Sequence, residues 1–193
     1  MVVLLALAVA GCADAPVGPG SPGAASTGVP TTAAAASPAA VAAVDTAYAR
    51  MMLGHHEQAL ELSALVPGRS SSPDVADLAF RIDRAQVEEV GQLRGFLRLR
   101  GAPAEAPADM SGMAGMADAA TLDRLRALSG PAFDRLWLQT MTAHHEGALT
   151  MARDQLTATG GAASTSPLAE FSRTLLVAQQ AEIDRMRALL ARS

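Results

Sequence analysis

Two short segments of this chain hold every histidine in it, each next to a methionine. The pattern Met-x-x-His-His-Glu occurs at residues 52–57 and again at residues 141–146, and the chain has 4 histidines in all. Imidazole nitrogen and thioether sulfur are both metal ligands, and soft sulfur selects Cu(I). The segments therefore predict a metal site whose donors favour copper. The candidate ligands are Met52, His55, His56, Met141, His144 and His145.

Helical phase separates the two histidines of each pair. Adjacent residues of a helix point about 100° apart. Only one histidine of each pair can therefore lie on the apolar stripe, the row of apolar residues that faces the core of the protein. His55 and His144 take the stripe, while His56 and His145 lie on its flank, four residues after the methionine of their segment and on the same helix face. The glutamate that ends each segment, Glu57 or Glu146, points away and is expected to be solvated or to lie outside the ligand set.

Two further glutamates, Glu89 and Glu182, fall on the apolar stripes of other helices. A buried carboxylate is costly unless it is paired or bound to a cation. These residues are expected either to bind the metal or to accept hydrogen bonds that orient the histidine rings. Gln86 and Gln179, one turn earlier, have the same two interpretations.

Residues 102–118, called here the Met loop, interrupt the helical pattern. The segment contains two prolines and the regularly spaced Met110, Met113 and Met116. Long loops are often functional, and methionine has little packing role in an exposed segment, so an auxiliary copper-capturing function is predicted. The competing interpretation is structural, because helical methionines often fill gaps and core histidines are often simply hydrogen-bonded.

Apolar periodicity predicts four long helices and a short one, which together indicate an all-α four-helix bundle. With aromatic residues at only 3% of the chain, helices are favoured over sheets. Ser-Pro pairs and glycines mark the helix ends. The first helix runs from Val41 to Pro67–Gly68, the second from Ser72–Pro73 to Gly101, the short one from Leu122 to Leu128, the third from Ser129–Gly130–Pro131 to Ala158, and the fourth opens at Ser166–Pro167.

The second half of the chain repeats the first. One offset aligns the two histidine segments and also Asp45 with Asp134, two aspartates that could equally be surface charges; the Gln-x-x-Glu segments align after a small shift. The domain, residues 41–193, is thus a duplicated helical hairpin, with repeat 1 at 41–101 and repeat 2 at 121–192. Duplicated halves usually pack about a pseudo-twofold axis, which would bring the histidine pairs together.

The N-terminus has the features of an exported protein. Residues 2–10 form an apolar run too short to span a bilayer and similar to a signal-peptide core. The run ends in Val9-Ala10-Gly11-Cys12, which resembles a lipobox, so residues 1–12 are predicted to be a lipoprotein signal peptide with Cys12 lipidated. Cys12 is also the only cysteine, which excludes an intramolecular disulfide. Residues 13–40, rich in Pro, Gly, Ala, Ser and Thr, are predicted to be a disordered tether.

The paired Met-x-x-His-His-Glu-x-Ala-Leu segments, each followed by Gln-x-x-Glu-(Val/Ile), resemble the domain of unknown function 305 family. The resemblance covers about Ala43 to Leu190. It implies a ferritin-like antiparallel four-helix bundle, commonly exported, and some members bind copper and are implicated in copper resistance. For this chain it implies copper binding by the two histidine segments, with the Met loop as auxiliary.

The sequence thus favours a non-enzymatic copper-binding protein on the extracytoplasmic side of the cell membrane, which sequesters copper or hands it on. Cu(I) is the preferred ion and Cu(II) the second choice. One alternative is a ferritin-like di-iron oxidase, although the Glu-x-x-His motif of such sites is absent. The other is a metal-free helical interaction module with pH-sensitive histidines.

Partners follow from the same features. The net charge of -4, with no basic block, excludes nucleic acid as a partner. The candidate partners are copper ions, the membrane through the N-terminal lipid, and either a second copy of the chain or a protein that accepts copper.

Overall fold

A computed structural model describes residues 37–110 and 112–192, and this part of the chain is helical with no strand. The all-α prediction is confirmed. The predicted signal peptide with Cys12, and the tether as far as residue 36, lie outside the described residues. None of the described helices has the length and apolarity needed to cross a membrane. The helices are α1 (Pro38–Ala64), α2 (Pro73–Leu99), α3 (Ala119–Ala127), α4 (Gly130–Ala158) and α5 (Ala169–Leu190), with a 3-10 turn at Gly161–Ala163.

Serine hydroxyls cap the N-termini of the first two helices. The Ser72 hydroxyl accepts a hydrogen bond from the Val75 amide at 3.3 Å, as the Ser-Pro signal predicted. Ser37 does the same for α1, accepting from the Ala40 amide at 3.2 Å. Helix α1 therefore begins at Pro38, and the end of the predicted tether is helical instead of disordered.

Two further helices begin at residues other than those predicted. Helix α3 begins at Ala119, not Leu122, because the Asp118 side chain accepts from the Thr121 amide at 2.7 Å and caps it earlier. Helix α5 begins at Ala169 instead of Ser166–Pro167. The Ser166 hydroxyl accepts a hydrogen bond from Gln155 Nε2 at 2.9 Å, and it gives α5 no side-chain cap.

The bundle consists of two hairpins, α1–α2 and α4–α5, that pack together mainly through α1 and α4. The Trp137 indole on α4 donates to the carbonyl of Leu62 near the end of α1 at 2.9 Å. At the opposite end Gln155, late in α4, donates to Asp45, early in α1, at 2.8 Å. The two central helices are therefore antiparallel, and the middle of each carries its histidine pair.

The repeated aspartates are buried, so their interpretation as surface charges was wrong. Each one contacts the opposite hairpin. Asp45 accepts from Gln155, and Asp134 accepts from both the amide and the hydroxyl of Ser71, at 3.2 and 2.8 Å. Because buried carboxylates require hydrogen-bond partners, these contacts fix how the hairpins sit against each other.

Candidate metal centre

The first histidine of each pair lies at the contact between α1 and α4. The rings of His55 and His144 are stacked, with centroids 3.8 Å apart and planes inclined by 36°. Both side chains are buried. Imidazole lone pairs lie in the plane of the ring, so a metal ion would be bound at the ring edges and not between the two faces. The stack places these edges side by side in the bundle core.

The second histidine of each pair faces the partner helix of its own hairpin. His56 Nε2 lies 2.7 Å from a Glu89 carboxylate oxygen on α2, and His145 Nε2 lies 2.9 Å from Glu182 on α5. A carboxylate accepts hydrogen bonds, so Nε2 carries the proton and, in the neutral ring, Nδ1 keeps its lone pair. Both histidines are fully buried, so the flank of the stripe is interior rather than surface.

Five imidazole nitrogens in this core are buried and have no hydrogen-bond partner. A buried polar atom without a partner costs on the order of 1–3 kcal/mol, which makes such a set unusual in a core without a ligand. Neutral imidazole nitrogens of this kind suit a soft or borderline metal ion. The atoms are Nδ1 of His55, His56 and His145, and both nitrogens of His144.

Electrostatics keep the stacked pair neutral. Burial, with the nearby His56 as a second cause, lowers the pKa of His55 from its usual 6.5 to about 3. Burial, followed by the proximity of His55, holds the pKa of His144 well below its usual value. Metal ligation requires the neutral imidazole, so this core presents the ligating form at neutral pH.

The methionines and glutamines proposed as ligands are also buried. Met52 and Met141 are fully buried one turn before His56 and His145. Gln86 has neither amide atom hydrogen-bonded. Gln179 has an unpartnered Oε1. The glutamines therefore add further unpartnered polar atoms to the core without a hydrogen bond to the histidines.

Each outward glutamate, Glu57 or Glu146, forms an ion pair with an arginine, and the two ion pairs are equivalent in the two repeats. Glu57 lies 2.7 Å from Arg94, and Glu146 lies 2.6 Å from Arg187, the arginine at the matching position of the second repeat. All four side chains are between 38 and 56% exposed, so each pair contributes little to stability. This arrangement leaves both glutamates on the bundle surface, away from the histidine core.

The Met loop lies against the histidine helices and is not the exposed segment expected. Met110, Met113 and Met116 are half-buried. The His55 Nε2–H group donates to the Ala114 carbonyl at 3.2 Å, so the loop backbone covers the stacked pair. Gln58 fixes the end of the loop by donating to the Ala117 carbonyl at 2.9 Å and accepting from its amide at 2.7 Å.

Two glycines allow this close approach, and the sequence analysis did not identify them. A β-carbon at Gly54 would lie 2.5 Å from the Met110 methyl group, and one at Gly147 would overlap the Ala114 carbonyl. The signal was present in the sequence, because Gly54 directly precedes His55 and Gly147 directly follows Glu146. A helix-interior glycine is unfavourable by about 1 kcal/mol relative to alanine, which favours a packing reason for its presence.

The grouping of the donors limits the kind of site. Within the part of the chain that the structure describes, no three side chains of the types His, Cys, Asp and Glu are grouped as a metal site. Structural zinc sites use four ligands of these types. The described histidines therefore do not match the ligand grouping of a structural zinc site.

The fold and the site define a duplicated-hairpin four-helix bundle with a buried histidine core. The family described as "Domain of unknown function (DUF305)" matches residues 45–190. The chain belongs to this family. No curated protein matches it.

Solved structures share the fold. A DUF305 protein from Streptomyces coelicolor, named as a candidate secreted protein, is 32% identical with a TM-score of 0.68, over 77% of this chain and 93% of the other. A DUF305 fragment from Deinococcus radiodurans is 30% identical with a TM-score of 0.71, over 83% and 100%. CopM in its Cu(I)-bound form is 24% identical with a TM-score of 0.62, over 77% and 96%, and at this identity it shows the fold alone.

Proposed function

We propose that this protein binds copper, preferentially Cu(I), in the histidine core and sequesters it or hands it on without catalysing a reaction. The observation that carries the proposal is the set of buried, unpartnered imidazole nitrogens. Glu89 and Glu182 support it, because a carboxylate on one ring nitrogen orients the ring and makes the other nitrogen a better ligand.

Copper suits this donor set better than other ions. The buried thioethers of Met52 and Met141 lie one helical turn before His56 and His145. Thioether sulfur selects Cu(I). Imidazoles alone would also accept Cu(II). Solved structures of the structural neighbour CopM include Cu(I)-bound and Cu(II)-bound forms, which supports copper as the ion bound here.

We place the protein outside the cytoplasmic membrane, anchored by a lipid on Cys12. The Streptomyces coelicolor relative, named as a candidate secreted protein, supports export. The proposed lipid anchor rests on the resemblance of Val9-Ala10-Gly11-Cys12 to a lipobox. Metabolic labelling with a radioactive fatty acid should mark the full chain and not a Cys12→Ser variant, and equal labelling of both would contradict the anchor.

Replacing His55 and His144 together by leucine should strongly reduce Cu(I) binding, because the variant loses the stacked ring edges while leucine fills their space. The measurement is anaerobic competition of the purified full chain with a chromophoric Cu(I) chelator. Thr140→Val, which also replaces a buried polar side chain of α4, is the control and should bind as the wild type does. Undiminished binding by the double variant would refute the site, and oxygen consumption on addition of Fe(II) would favour the di-iron oxidase.

Replacing Glu89 and Glu182 together by glutamine should weaken Cu(I) binding by ~10–100-fold, because the rings lose their charged acceptors. The matched control makes the same change at the outward glutamates, Glu57→Gln with Glu146→Gln. These residues pair with surface arginines, so the control should keep its affinity. Equal losses in both double variants would point to a general charge effect instead of ring orientation.

A further inference from the structure

An open cavity of about 280 Å³, called here the α1–α4 groove, lies between these two helices. Met51 from α1 and Met151 from α4 line it, together with Tyr48 and the exposed Asp154. Met51 is 37% exposed and Met151 is half-buried. Neither methionine belongs to the two histidine segments, and the space between them is not filled by side chains.

These methionines lie in line with the stacked histidines. Met51 precedes His55 by four residues and Met151 follows His144 by seven, so each shares a helix face with the histidine of its own helix. Gly54, the next turn of α1 after Met51, supports the Met110 thioether of the Met loop, with sulfur 3.1 Å from the position of a β-carbon. Met51 and Met151 therefore border the cavity, and Met110 lies against α1 about one turn further along, at Gly54.

Packing alone does not explain methionine at these positions. In the alignment of the two repeats, Thr140 holds the position that matches Met51, and Leu62 holds the position that matches Met151. The duplicated architecture therefore accepts other side chains at both positions. A gap-filling methionine would also occupy the gap, whereas these two border an open cavity. A surface pair of soft sulfur atoms beside a carboxylate is better explained by a ligand.

We propose that Met51 and Met151, with Met110 as a third thioether, form a separate docking site for a soft monovalent cation of the Cu(I) class. Thioether sulfur binds such ions in preference to hard cations, and Asp154 adds favourable charge at the rim. This inference rests on the proposed copper function, because the docked ion would pass from the groove to the histidine core beneath the Met loop.

The test compares the full-chain double variant Met51→Leu with Met151→Leu against Met186→Leu, which removes one thioether from the buried face of α5. Leucine for methionine nearly conserves volume, so both should fold. Anaerobic titration with Cu(I) against a chromophoric chelator gives the stoichiometry, and stopped-flow mixing gives the loading rate. The double variant should lose a class of bound Cu(I) and load more slowly, while Met186→Leu should match the wild type.

The outcomes separate this inference from the proposed function. If the wild type takes up Cu(I) and the double variant matches it in stoichiometry and rate, the groove site is refuted and the histidine core stands. If the wild type takes up no Cu(I), both fall. A His55→Leu, His144→Leu variant that retains some Cu(I), and loses it when the two groove methionines are also replaced, would support a separate site.

Discussion

Acidification of the metal-free protein from about pH 7 to about pH 4 is expected to lower its free energy of unfolding, with His55 alone accounting for on the order of 3 kcal/mol. The physical reason is the stacked pair in the core. His55 and His144 are buried against each other with centroids 3.8 Å apart. Charging either ring would place an ion in an apolar site beside a second imidazole.

The sign follows from the direction of the pKa shift. The pKa of His55 is lowered to about 3 in the folded protein from its usual 6.5. Between those values the unfolded chain binds more protons than the folded one, so stability falls as the pH falls. The contribution of neutral His55 to the free energy of unfolding is fully present above about pH 6.5. Below that pH it is lost at about 1.4 kcal/mol per pH unit, until the pH reaches the pKa of His55 in the folded protein. His144, whose pKa is also lowered, acts in the same direction.

Urea unfolding followed by circular dichroism at a series of pH values measures this slope. The control is the variant with His55→Leu and His144→Leu, which has no titrating group in the stack and should show a shallower dependence on pH. Its remaining slope belongs to other groups. Equal slopes in wild type and variant would show that the stacked histidines are not the source of acid sensitivity.

The helical architecture could be predicted because its causes are local or repeated. Apolar periodicity and serine caps located the long helices to within a few residues at most ends. The aligned segments around Asp45 and Asp134 indicated the duplicated hairpin, and duplication implied that α1 and α4 would face each other. The proximity of His55 and His144 follows from that symmetry together with helical phase, whereas the stacking of their rings was not predicted.

The contacts that the sequence did not predict are those between residues distant in the chain. Nothing near Asp45 indicates that Gln155 will be its partner, so its burial was not foreseen. Likewise the cap signal at Ser166 is locally valid, but its hydroxyl bonds to Gln155 in the folded protein. The path of the Met loop depends on two helix glycines, Gly54 and Gly147, which leave space for the loop to pack closely. Apolar periodicity carries no information about such a fit between distant segments.

Replacing Gly147 by alanine is expected to displace the Met loop from the histidine core. The added β-carbon would overlap the Ala114 carbonyl and lie 2.9 Å from the Gly115 α-carbon. Both are backbone atoms, so the clash cannot be relieved by a side-chain rotation. Overpacking of this kind costs ~1–3 kcal/mol, which outweighs the gain of up to ~1 kcal/mol from alanine in a helix.

Gly91→Ala is the matched control, because Gly91 is an exposed glycine inside α2 with no atom near its missing β-carbon. Alanine there should stabilise the protein by up to ~1 kcal/mol, so the two variants should differ in sign. Urea unfolding measures both, and limited proteolysis should cut the Met loop faster only in Gly147→Ala. If the two variants were equally stabilised and equally resistant to protease, the loop would not be held against α4. Faster cleavage together with faster Cu(I) loading would instead identify the loop as the cover that controls access to His55, since its displacement removes the Ala114 carbonyl from that ring.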